Sequence, residues 1–145
     1  MKYIFLLFLI ELSLTYNPSA AILYARKYCN AYHPYYDYYQ EGDAAHFVSQ
    51  CLVAGGLSFK GCNGLNNKGF FYRVPDLASC LIKIGWNHTK GMTKQFKKGF
   101  PFFIGNYHVM IATEVNGNSV TYFAHTRDRW DYTMKADSTY IYFYL

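Results

Sequence analysis

Residues 40–56 read QEGDAAHFVSQCLVAGG, and the fold turns on how they are read. Gly42-Asp43 is a turn signal. Ala44, Phe47, Val48, Cys51 and Leu52 then recur at helical spacing and share one apolar face. Gly55-Gly56 stops the pattern. The stretch predicts a helix from about Ala44 to Ala54 that is central and largely buried. Its first turn offers unpaired N–H groups and the positive end of the helix dipole. A cysteine there would ionise readily, and the same N–H groups could hold an oxyanion. The residue in that place is Ala44, whose methyl group cannot attack a carbonyl. Asp43 can also serve simply as an N-cap, worth about 1 kcal/mol.

Upstream, Asn17 followed by Pro18 is the signature of a helix start. Ala21, Tyr24, Ala25, Tyr28 and Cys29 continue it, and the pattern stops before Pro34. The sequence HPYYDYY then reads as an aromatic loop, in which Tyr36 or Tyr39 could offer a donor. Downstream, Pro75 to Ile84 predicts a third helix with Leu77, Leu81 and Ile84 on its apolar side and Gly85 as its stop. Beyond Phe100 the period changes. FPFFI, YHVMIATEV, SVTYFAHT and TYIYFYL are rich in β-branched and aromatic residues and predict four strands. Helices first and an antiparallel sheet afterwards make an α+β domain.

Asn116-Gly117 is a strong hairpin signal. A two-residue turn there puts Val115 opposite Asn118 and His108 opposite His125. Opposed residues share a face, with Cβ atoms about 5 Å apart. Two imidazoles so paired can act as base and orienter, one moving a proton while the other fixes its tautomer. What such a pair lacks here is a nucleophile, since Ala44 cannot supply one. Cys51 is no substitute. It lies seven residues on along the same helix, about 10 Å away at the helical rise, and should be buried or disulfide-bonded. Ser49 lies further round the helix.

The chain has 145 residues, 52% hydrophobic and 16% charged, which fits one folded domain and excludes disorder. Residues 1–15, MKYIFLLFLIELSLT, carry a lysine and then an apolar run too short to span a bilayer. They read as a secretory signal peptide, leaving residues 16–145 as an exported domain with no stable membrane insertion. Four cysteines in an exported chain predict two disulfides, Cys51–Cys62 and Cys29–Cys80 being the favoured pairing. No standard zinc spacing exists among His33, His46, His108, His125 and the cysteines, so neither a metal nor another cofactor is expected. Asn87-His88-Thr89 fits an N-glycosylation acceptor in a eukaryotic source. The net charge of +5 favours anionic partners such as acidic glycans or cell walls. The nearest basic cluster, Lys94, Lys97 and Lys98, is too sparse for a nucleic-acid interface. The 16 tyrosines suggest an aromatic-walled cleft.

GDAAHFVSQCLVAGGL at 42–57 resembles the nucleophile motif of the putative amidase domain family, a papain-like group whose usual form is G-D-C-[TA]-N-F-V-S-Q-C-L-x-A-G-G. YNPSAAILYARKYCNAYHPYY, PDLASCLIKIGW and YHVMIATEVNGNSVTYFAHTRDRWDY follow the family pattern in the same order. The resemblance implies a papain-like fold and amide-bond hydrolysis, with cell-wall peptides as a substrate class. A monomer is expected. Carried over, the nucleophile falls on Ala44, the catalytic histidine on His108 and the third member on His125, with Asp128 as a rival. His46 stands where the family usually has Asn. Ala44 in place of Cys is open to two readings, a natural pseudoenzyme that binds a peptide or glycan without cutting it, or a deliberate inactivating change.

Overall fold

The computed structural model describes residues 16–29, 43–125 and 129–145. Residues 1–15, expected to be a signal peptide, the Tyr-rich stretch with Tyr36 and Tyr39, and Asp128 lie outside them. Three helices come first among the described residues: α1 (Pro18–Tyr28), α2 (Asp43–Ala54) and α3 (Val74–Lys83). Six strands follow: β1 (Asn87–Lys90), β2 (Pro101–Ile104), β3 (His108–Asn116), β4 (Ser119–Ala124), β5 (Arg129–Lys135) and β6 (Ile141–Tyr144). They form one antiparallel sheet in the order β1-β6-β2-β3-β4-β5. The α+β class is therefore as expected.

Local chemistry explains the helix ends. The Asn17 side chain accepts a hydrogen bond from the Ala20 N–H at 3.2 Å, and Pro18 occupies the first turn. Arg26 and Lys27 lie in the last turn of α1, where the dipole favours positive charge. α2 is buried from Asp43 to Leu52, because it packs between α1, α3 and the sheet strands β3 and β4. α1 runs antiparallel to it. The Asn17 N–H donates to the Gly55 carbonyl at 2.7 Å, and further along the Tyr24 hydroxyl donates to Gln50 Oε1 at 2.7 Å. The end of α1 therefore lies beside the start of α2.

Four expected strands are found, and two further ones, β1 and β5, form the edges of the sheet. Edge strands bury little, so β1, with the sequence NHTK and largely exposed, has no apolar alternation to read. Asn87-His88-Thr89 thus lies in a strand. Among the described residues the aromatics mostly build the core: Phe102 stacks on Tyr142, and Tyr16, Trp86 and Phe100 pack edge to face or tilted.

The expected hairpin register is not the one formed. Asn116 pairs with Ser119, so the turn residues are Gly117 and Asn118. Gly117 has φ +59, while Asn116 and Asn118 keep negative φ. A turn centred on Asn116-Gly117 would require left-handed backbone at the asparagine as well. A bulge between Ala112 and Glu114 then shifts the ladder, giving Ala112↔Tyr122 and Ile111↔Phe123. One inserted residue reverses the parity of every position beyond it. Alternation therefore assigns His125 to the face of Ile111 and Phe123, and His108 to the face of Met110 and Phe102. His108 and His125 are not an opposed pair.

The disulfide is Cys62–Cys80, with Cα atoms 5.5 Å apart, whereas Cys29 and Cys51 are buried free thiols. The expected pairing is not formed: Cys51 is fully buried in α2 as a free thiol, and Cys62 meets Cys80 instead. The bridge ties that loop to α3. Its two cysteines are 18 residues apart. A loop of that size restricts the unfolded chain enough to add about 3 kcal/mol. Replacing both with serine is expected to lower the unfolding free energy by about 3 kcal/mol in denaturant titrations. Peptide mapping under non-reducing conditions should return the Cys62–Cys80 pair alone.

Candidate active site

The start of α2 holds a buried polar cluster rather than a simple cap. Asp43 is the first residue of the helix and is 2% exposed. Its two carboxylate oxygens serve different imidazoles. Oδ1 lies 3.0 Å from His46 Nδ1, one helical turn on, and Oδ2 lies 2.5 Å from His125 Nδ1, just past the end of β4. Beyond any capping of the helix, the Asp43 carboxylate thus has an ion-pair and hydrogen-bond role with two imidazoles.

The rest of the cluster fixes the rings. His125 Nε2 lies 2.8 Å from the Tyr28 carbonyl, and its ring stacks on Phe47 with centroids 3.8 Å apart. Contacts at both ring nitrogens, to a carboxylate and to a carbonyl, fix the orientation of the His125 imidazole. His46 Nδ1 donates to Asp43, which leaves Nε2 to accept from the Gln50 amide at 3.2 Å. Gln50 Oε1 in turn accepts from the Tyr24 hydroxyl. A continuous chain of hydrogen bonds thus runs from Tyr24 on α1, through Gln50, His46 and Asp43 on α2, to His125 and back to the end of α1. Buried side-chain polar atoms among the described residues all have partners, as such a network requires.

Burial alone would raise the Asp43 pKa. Hydrogen bonds from His125 and His46, with the electrostatic attraction of both rings, outweigh it and hold the carboxyl below its ordinary value. Cys51, by contrast, is wholly buried, and desolvation pushes its thiol well up, so it stays protonated. Ser49 is saturated by the His46 carbonyl and the Phe71 N–H. Neither replaces a nucleophile at position 44. Among the described residues no group of three or more His, Cys, Asp or Glu is arranged to hold a metal ion.

Ala44 follows Asp43 in the first turn of α2, with its methyl buried. His108 is the first residue of β3, half-buried and paired with Ile104. His125 directly follows the paired strand, so both histidines lie at the open end of the β3–β4 hairpin, the end at which α2 begins. Tertiary structure brings His125 to the helix start through Asp43; His108 it places at the same end but on the other strand face by alternation. His46, Gln50, Tyr24 and Tyr28 were not singled out as site residues in the sequence. The signal was present: Asp43, His46 and Gln50 sit at helical i, i+3 and i+7 spacing.

Removing one partner of this buried pair is expected to be costly. Asp43→Asn should lower stability at pH 7 by about 3–5 kcal/mol in urea unfolding. The folded carboxyl pKa lies below the unfolded one, so the stabilisation is complete above the unfolded value near 4. It is lost as pH falls through the depressed folded value. The stability gap between native protein and variant should therefore close on acidification below about pH 4.

The sequence matches a family model described as a putative amidase domain over residues 15–102. No curated protein and no solved structure shows a significant match.

Proposed function

Because the chain belongs to the putative amidase domain family, which points to amide-bond hydrolysis, we propose that it is a papain-like amidase scaffold, inactive as written because Ala44 holds the nucleophile position. The observation that carries this reading is the grip of His125 and His46 on Asp43. That grip fixes the residue next to position 44 and aims the first-turn N–H groups of α2. A thiolate at position 44 would attack the amide carbonyl there, while those N–H groups would hold the oxyanion. The family pattern gives His108 the role of acid and base, passing a proton to the leaving amine and later taking one from water. Because alternation turns its strand face from that of His125, its imidazole would have to reach position 44 around the open end of the hairpin. His125, with both ring nitrogens committed, acts through Asp43 as a positioning residue.

The substrate class we favour is a peptide, with cell-wall peptides as the natural candidate for an exported protein. Export is supported by the apolar leader at residues 1–15 and by the Cys62–Cys80 disulfide, a bond that persists in oxidising compartments. A second reading has its own support. Ala44 leaves no nucleophile in the first turn of α2, which suits a module that binds a peptide or glycan without cleaving it.

Restoring the sulfur separates the two. In Ala44→Cys, alkylation of the new thiol against pH is expected to titrate about one unit or more below the free value near 8.5. The shift should disappear when His108 is also changed to Ala. If it disappears only with His125→Ala, the base is His125. An ordinary thiol pKa in every background leaves only the binding module.

A further inference from the structure

The turn end of the β3–β4 hairpin carries a feature that the amidase reading does not use. A cleft of about 750 Å³ opens there between the first turn of α1, the segment around residues 92–98 and the hairpin turn. Lys94, Lys97 and Lys98 line it, against one carboxylate, Glu114. The three lysines are exposed, and none forms an ion pair among the described residues. Their charge therefore converges on the cleft with only Glu114 to offset it.

The lysines are held in place by the fold. Two successive turns carry them, closed by Phe96 N–H donating to the Thr93 carbonyl and Phe100 N–H donating to the Lys97 carbonyl, each at 3.2 Å. Phe96, between the turns, is buried in the core. Gly99 donates to the Ala112 carbonyl at 2.7 Å and accepts from the Tyr16 hydroxyl. Its φ is +85, and a Cβ there would come within 2.4 Å of the Pro18 Cβ. Only glycine lets the lysine loop lie so close to the start of α1. That helix has no acidic residue in its first turn, so its dipole adds to the positive field.

We propose that this cleft binds a ligand bearing two or more phosphate groups. Lysine ammonium groups act as point charges suited to phosphate oxygens. The cleft is open to solvent, and its volume of about 750 Å³ leaves room for a small charged ligand. Three charges spread along two turns match a ligand whose charge is also spread. Two sources share this chemistry, a soluble oligophosphate and a phosphodiester polymer. The site is remote from the histidines: His108 and Glu114 are six residues apart on β3, about 20 Å along an extended strand. It therefore stands or falls separately from the amidase reading.

The test titrates the full chain with sodium tripolyphosphate, poly(glycerol phosphate) and polygalacturonate by calorimetry at about 50 mM salt. Saturable tripolyphosphate binding is expected. The triple variant Lys94→Gln, Lys97→Gln, Lys98→Gln should weaken it at least about tenfold. A control triple of equal net charge, Lys60→Gln, Lys90→Gln, Lys135→Gln, should retain affinity within about twofold. Binding of poly(glycerol phosphate) with the same lysine dependence assigns the polymer as the source, and binding of tripolyphosphate alone assigns the soluble ligand. No saturable binding, equal loss in both triples, or polygalacturonate binding as tightly as the phosphates would overturn the proposal. Circular dichroism of each variant verifies that affinity is compared between folded proteins.

Discussion

The carboxylate of Asp43 is the point on which the helical half and the sheet half of this protein meet. Its neighbour on α2, His46, takes one oxygen, and His125 from the end of β4 takes the other. A charge so deeply buried is tolerated only when its hydrogen-bonding capacity is filled. The fold fills it from two elements far apart in sequence. His125 then ties the same point to the end of α1 through the Tyr28 carbonyl. A short chain of polar contacts therefore ties the first turn of α2, next to position 44, to the end of β4 and to the end of α1. That anchoring would serve covalent chemistry or fixed recognition equally well.

The β3–β4 hairpin organises the molecule into two ends of different character. At its open end, imidazoles and a carboxylate are withdrawn from solvent. At its turn, lysines are displayed around a cleft. The antiparallel run of α1 against α2 produces this polarity, since the start of α1 must then lie beside the end of α2. A helix start thus faces each end of the hairpin. One is engaged by a carboxylate of its own chain, whereas the other has no acidic residue of its own in its first turn.

Much of this was legible in the sequence. Asn17-Pro18, the apolar face from Ala44 to Leu52 and the Gly85 stop specify the helices through local backbone chemistry, which needs no partner. The aromatic and β-branched runs after Phe100 specify the four inner strands, because burial on a sheet leaves a compositional trace. The edge strand β1 leaves none, since little of it is buried. The placement of a candidate nucleophile position at a buried helix start was equally plain, as was the attachment of interest to His108 and His125.

What tertiary structure alone decided is which groups meet. A bulge near Thr113 moved the hairpin register by one residue and set the two histidines on different strand faces. No local rule announces such an insertion, because its strain is relieved by contacts made elsewhere. The pairing of Cys62 with Cys80 followed from where loop and helix came to rest, not from cysteine spacing. The engagement of His125 with Asp43, 82 residues away in sequence, was decided in the same way. Sequence determines the local conformations and the residues that must be hidden; only packing in three dimensions chooses the partner that each hidden polar group finds.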